Sequence, residues 1–172
     1  MNGGLEKLNH IPPETARTAF LSCCGSRRWA ERMTEARPFA GMDELINRAK
    51  EIWQNLEPED WLEAFAAHPK IGARKAASQQ SEQSAQWSQN EQSGVLGAEN
   101  AVLSELAEAN RLYEEKFGYI FIVCATGKTA EEMLALCQER LKNESLTELQ
   151  TAAEEQRKIT EIRLKKLLEA EI

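Results

Sequence analysis

His68 is one of two histidines in this 172-residue chain, and acid–base catalysis is the chemistry open to it. It closes an expected helix in the run Ala66-Ala67-His68-Pro69-Lys70-Ile71-Gly72, where the helix dipole favours the imidazolium form. Pro69 turns the chain away from the helix, so the imidazole is expected to project into a cleft. The plainer reading is a surface or hydrogen-bonded core histidine, the commoner fate of a lone imidazole. Twenty residues on, Ser88, Glu91 and Gln92 stand at spacings of three and four, which puts them on one face of a short helix. That face would be polar and suited to a heterocycle, although Glu91 alone is one of 28 acidic residues of a kind usually solvated.

Arg163 breaks a pattern. At 100° per residue, Leu146, Leu149, Ala152, Ala153, Ile159, Leu164 and Leu167 form one stripe of a final helix, with Glu154, Lys158, Glu161, Lys165 and Glu169 opposite. Arg163 falls inside the apolar stripe. An inward guanidinium is costly unless an anion meets it. A structural ion pair would satisfy it, and so would a ligand carboxylate, which the planar fork grips with two hydrogen bonds.

Residues 119–125, Tyr-Ile-Phe-Ile-Val-Cys-Ala, are the one strongly β-like run in a helical chain, and the sequence offers no partner strand. Their backbone groups must still find partners. The run could open the following helix, or it could form an extended buried segment that offers N–H and C=O groups to an amide-rich ligand. Gly118 and Gly127 at its ends permit tight turns. Within it, Cys124 could pair with His68 as a nucleophile. The apolar surroundings argue against this, because burial raises a thiol pKa.

The elements that must position these residues are mostly helices. Pro12-Pro13 can start a first helix that Gly25 stops. A second runs from about Arg27 to Ala36, and a third has Met42, Leu45, Ile46, Ala49, Ile52 and Trp53 on one face. Pro58 opens a fourth, with Trp61, Leu62 and Phe65 pointing inward. Eleven of the seventeen residues 78–94 are Ser or Gln, which taken alone suggests a flexible linker. Neither flank is long enough for a comfortable core of its own, so a linker between two domains is not expected. Leu96 to Phe117 reads as a long helix stopped by Gly118, and Thr129-Ala130-Glu131-Glu132 has capping-box spacing. The last helix covers about Leu146 to Leu168, and His10 lies in an N-terminal loop. The expected fold is all-α, a single-domain bundle over 1–172 of seven to eight helices, with one short extended segment near 119–125.

Composition narrows the function classes. Hydrophobic residues at 42% and charged residues at 28% are ordinary for a soluble globular chain. A net charge of −7 disfavours nonspecific binding to nucleic acid or to an anionic membrane. Cys23, Cys24, Cys124 and Cys137 contain no C-x-x-C pair and no zinc-ligand pattern, so reduced cytoplasmic thiols are expected. No signal-peptide core, membrane span or peroxisomal address stands out.

Four blocks in this order resemble the OHCU decarboxylases, the cofactor-free enzymes of urate breakdown that make (S)-allantoin. They are His-Pro-x-Ile-Gly from His68, Ser-x-x-Glu-Gln-x-Gly from Ser88, Phe-Gly-x-x-Phe-Ile-x-Cys-Ala from Phe117, and Arg-Lys-Ile-x-x-x-Arg-Leu from Arg157. The first alone is weak and the set is specific, and the resemblance covers nearly the whole chain. It implies an all-α homodimer, no cofactor or metal, no nucleic-acid or membrane partner, and a small-molecule substrate, 2-oxo-4-hydroxy-4-carboxy-5-ureidoimidazoline. It further implies His68 and Glu91 as the catalytic pair. Substrate contacts would come from Pro69, Ser88, Gln92, Arg163 and the backbone of Ile122, Val123, Cys124 and Ala125. Lys70 departs from the Asp or Arg common in relatives, which bears on the rim of the site. Two other classes compete: a noncatalytic helical interaction domain, which leaves the inward Arg163 unexplained, and a cysteine hydrolase. Replacing Cys124 by Ser separates the last from the decarboxylase reading. Decarboxylation should survive at least in part, whereas complete loss of activity in a folded variant would favour the cysteine nucleophile.

Overall fold

The computed structural model describes residues 3–71, 82–95 and 97–170. Among them are nine α-helices and one 3₁₀ turn, with no strand. In chain order the helices are α1 (Gly3–His10), α2 (Pro13–Cys23), α3 (Arg27–Glu35), α4 (Met42–Gln54), α5 (Pro58–Ala66), α6 (Glu82–Glu91), α7 (Asn100–Phe117), α8 (Ala130–Arg140) and α9 (Ser145–Glu169), with the 3₁₀ turn at Ser93–Val95. They group into two compact units, one of residues 1–64 with 157–172 and one of residues 65–156.

In the first unit local signals set the helix ends. Proline at the first position starts α2, and the Ser26 side chain caps α3 by accepting from the Trp29 N–H at 3.2 Å. The core is aromatic. Phe20 meets Trp29 and Phe39 edge-on, at centroid distances of 5.9 and 6.4 Å, and the Trp29 indole N–H donates to the Ala49 carbonyl at 3.1 Å. The helix α1 replaces the loop expected around His10. Leu5 and Leu8, one turn apart, are both buried, and tertiary burial sustains an element too short to stand alone. On α5, Leu62 is exposed and Ala64 takes the inward place beside Phe65, so the buried face is rotated from the expected one.

The second unit packs α7 and α8 around Tyr113, with Leu106, Phe121, Met133 and Cys137. Two devices fix where these helices stop and start. Gly118, at φ 83°, ends α7 in the left-handed conformation and donates its N–H to Glu114 at 2.8 Å. Thr129 and Glu132 form the expected capping box at the start of α8. Between them residues 121–125 are buried and belong to no helix, which resolves the two readings of that run in favour of a separate segment. Of the Ser/Gln-rich stretch, residues 78–81 lie outside the described residues, while α6 brings Ser84, Trp87, Ser88 and Glu91 inward at helical spacing.

A charged cluster lies in this core. Arg140 donates to Glu148 through Nε at 2.8 Å and Nη2 at 2.5 Å, and the Tyr113 hydroxyl donates to the same carboxylate. Glu148 is 0% exposed, and Asn143 Nδ2 satisfies its other oxygen at 2.9 Å. Burial, together with the bond to Glu148, pushes the Tyr113 pKa well up, so its hydroxyl remains a donor. Removing one partner from a pair of this kind costs about 3–5 kcal/mol, because the other charge stays buried. The sequence placed Leu146 on the inward stripe of α9, yet it is 70% exposed in the first turn. The stripe begins instead at Glu148 and continues through Ala152, Gln156, Ile159, Arg163 and Leu167.

Candidate active site

Three of the four sequence blocks meet within the second unit. His68 follows α5, is half-buried, and sets its Nε2 2.6 Å from the Oε1 atom of Gln156 on α9. An amide oxygen only accepts, so Nε2 carries the proton of this bond and Nδ1 is the acceptor of the neutral ring. Gln156 is 0% exposed. Sequence reading passed over it, although an amide in the centre of a buried stripe is the same kind of signal as Arg163.

Helix α6 supplies the second block. Ser88 and Glu91 are buried on its inner side, and Gln92 lies just beyond its end with its N–H on the Ser88 carbonyl at 3.2 Å. Ser88 and Glu91 thus share the buried side of α6, while Gln92 is half-buried in the turn that follows. The motif glycine Gly94 is required by close approach: a Cβ there would lie 2.1 Å from the Lys128 carbonyl oxygen. Glycine thus lets the turn after α6 pack against the chain just beyond the extended segment.

The third block is that segment. Phe121, Val123 and Ala125 enter the hydrophobic core, the alternation of an extended chain. Three of its carbonyls, those of Ile122, Cys124 and Ala125, are occupied. Arg140 Nη1 donates to the Ile122 carbonyl at 2.6 Å, Lys128 Nζ to that of Cys124 at 2.7 Å, and the Lys128 N–H to that of Ala125 at 3.0 Å. The peptides here are trans, because the one cis bond among the described residues is Arg37–Pro38. In a trans peptide the C=O and the following N–H point in opposite directions. Holding the Ile122 and Cys124 carbonyls therefore aims the N–H groups of Val123 and Ala125 the other way. Neither N–H has a hydrogen-bond partner among the described residues.

Burial raises the Cys124 thiol, partly offset by the Lys128 charge, while the charges of Glu155 and Glu91 raise it further. Those two carboxylates thus act on the segment from α9 and α6. A thiol held in its neutral form is a poor nucleophile, which weakens the cysteine-hydrolase reading. Pro69 is half-buried beside His68, and Lys70 pairs at the surface with Glu114 at 2.8 Å.

Arg163 belongs to the first unit, where it is 3% exposed on α9, so the inward placement expected from the stripe is met. Burial raises Cys23 and Cys24, the latter to about 11, and the Arg163 charge counteracts part of both shifts. Among the described residues no group of three or more His, Cys, Asp or Glu side chains is placed to hold a metal ion, and no helix is long and apolar enough to cross a membrane.

An all-α chain in which a histidine, a polar helix face and an extended buried segment come from separate blocks is a narrow class of protein. The chain belongs to the OHCU decarboxylase family, whose sequence profile matches residues 9–165. It is 47% identical over 147 residues to the uric acid degradation bifunctional protein TTL of Arabidopsis thaliana, covering 84% of this chain and 45% of that protein. It thus spans less than half of that relative's length. It is 27% identical over 161 residues to the 2-oxo-4-hydroxy-4-carboxy-5-ureidoimidazoline decarboxylase of Haloferax volcanii, covering 93% of each. A crystal structure of an OHCU decarboxylase in the presence of (S)-allantoin superposes with a TM-score of 0.77 at 40% identity, covering 93% of this chain and all of that one.

The His68–Gln156 contact makes a spectroscopic prediction. At a pH where the ring is neutral, ¹⁵N shifts should report the Nε2–H tautomer, and Gln156→Leu should shift the population toward Nδ1–H. An Nδ1–H ring in the parent protein would contradict the assignment.

Proposed function

We propose that this protein decarboxylates 2-oxo-4-hydroxy-4-carboxy-5-ureidoimidazoline to (S)-allantoin without a cofactor. The observation that carries the reading is the arrangement of residues 122–125: the carbonyls of Ile122, Cys124 and Ala125 are held by Arg140 and Lys128, and the N–H groups of Val123 and Ala125 face away from the held Ile122 and Cys124 carbonyls. A ligand rich in carbonyl groups suits donors of that kind. Relatives whose names state this activity, and the solved relative crystallised with (S)-allantoin, support the same substrate.

In this reading the bond from the ring carbon to the carboxylate breaks, carbon dioxide leaves, and the electron pair delocalises into the substrate's own ring as an enolate-like intermediate. The N–H groups of Val123 and Ala125 stabilise the developing negative charge. His68, oriented by Gln156 and assisted by Glu91, delivers a proton to one face of the ring carbon and sets the S configuration. Ser88 and Gln92 hold the ureido and ring amides, Pro69 shapes the entrance, and Arg163 clamps the carboxylate-bearing substrate. The family match over residues 9–165 supports reading 1–172 as a single OHCU decarboxylase-like domain. The protein works as a cytoplasmic homodimer.

Circular dichroism of a urate reaction containing urate oxidase and hydroxyisourate hydrolase tests this directly. Adding the protein should make the (S)-allantoin signal build up quickly, and His68→Ala should return it to the slow racemic course with helicity unchanged. An unaltered course with the parent protein would reject the function, and a fully active His68→Ala would reject the role of the histidine.

A further inference from the structure

We propose that Arg140 is a positioning residue for the decarboxylation, setting the direction of the Val123 N–H by holding the Ile122 carbonyl from behind. The inference rests on the reading above, in which that N–H meets the substrate. Arg140 is buried at the end of α8 and divides its fork between two tasks. Nε and Nη2 bind Glu148, at 2.8 and 2.5 Å, and Nη1 binds the Ile122 carbonyl at 2.6 Å. Its guanidinium also lies over the Phe121 ring, 4.6 Å from the centroid. One planar group therefore touches both the side chain and the backbone at the start of the segment.

Each partner restricts a different freedom. Glu148, fully buried and held by Tyr113 and Asn143, fixes the position of the guanidinium. The rigid fork then fixes where Nη1 lies, and the Ile122 oxygen must meet it. Because the peptide is planar and trans, the Ile122 oxygen and the Val123 hydrogen rotate as one body. Rotation that relaxed the bond to Arg140 would swing the Val123 N–H off its line by the same angle. An ion pair alone would need only Glu148, and the third bond ties the guanidinium to a backbone carbonyl of the segment. Lysine can keep the charge beside Glu148, but its single ammonium lacks the fork that spans carboxylate and carbonyl together.

Three variants separate positioning from plain stability. Arg140→Lys removes the fork, Tyr113→Phe removes one hydroxyl from the same cluster, and Glu148→Gln leaves an acceptor for Arg140. For each, the urea midpoint, kcat, KM and the ¹⁵N–¹H signal of the ligand-free Val123 amide are recorded. Arg140→Lys should lower kcat/KM by about tenfold or more, as expected for a misaligned donor. It should also move the Val123 signal. Tyr113→Phe should stay within about threefold of the parent, with the Val123 signal near its place, even where its midpoint falls as far. Glu148→Gln, which loosens the anchor of the guanidinium, should move activity and the Val123 signal together. Activity that tracks the midpoint across all three variants would overturn the proposal, and so would a Val123 signal unmoved in Arg140→Lys. A parent protein without decarboxylase activity would reject the function itself, while the Val123 signal would still decide whether Arg140 sets the peptide's direction.

Discussion

The structure turns on a five-residue run of buried backbone in a helical chain. Residues 121–125 cannot satisfy their peptide groups within a helix, and no strand pairs with them among the described residues. Buried peptide groups without partners are costly, so the chain meets them one at a time. The Arg140 guanidinium takes one carbonyl, the Lys128 ammonium a second, and the Lys128 N–H a third. What this leaves is directional. The carbonyls of Ile122, Cys124 and Ala125 are engaged, and the N–H groups of Val123 and Ala125 point away from the held Ile122 and Cys124 carbonyls.

Much of the second unit serves to keep that run in place. Gly118 ends α7 and the capping box begins α8, so the segment has fixed ends. Tyr113 and Phe121 pack ring against ring at 5.3 Å, which ties the segment to α7. Helix α9 contributes at three levels. Glu148 anchors Arg140, Glu155 acts on Cys124, and Gln156 orients His68. These three residues span little more than two turns, so a single helix carries the partners of His68, Cys124 and Arg140. The polar residues on its inward face are therefore not packing defects. A core of aliphatic side chains could be as stable, and it would orient nothing.

The parts of this arrangement that were legible in the sequence are those carried by local rules. The proline starts of α2 and α5, the capping box of α8 and the glycine stop of α7 came from short-range chemistry, and the structure has them. Arg163 was conspicuous because the stripe around it is apolar, and it is buried. Arg140 and Gln156 obeyed the same rule and were overlooked, because each stands in a helix face where polar residues are close by in the sequence. Glu148 was hidden by Leu146, which is a better core residue by type but sits in the first turn of α9, where there is little to pack against. The helix α1 depends on Leu5 and Leu8 being buried by the rest of the unit, which no local signal records. The partners of the 121–125 carbonyls come from residues up to eighteen positions away, and hydrophobic periodicity carries no information on them.

The central claim is that the Val123 and Ala125 N–H groups are the donors that receive the ligand. The most direct test is a titration of ¹⁵N-labelled protein with (S)-allantoin, followed by amide shifts. The account predicts that at saturation the Val123 and Ala125 amides move most among residues 121–125, because their hydrogens are the ones that meet the ligand. Binding that shifts other residues while leaving Val123 and Ala125 in place would contradict it.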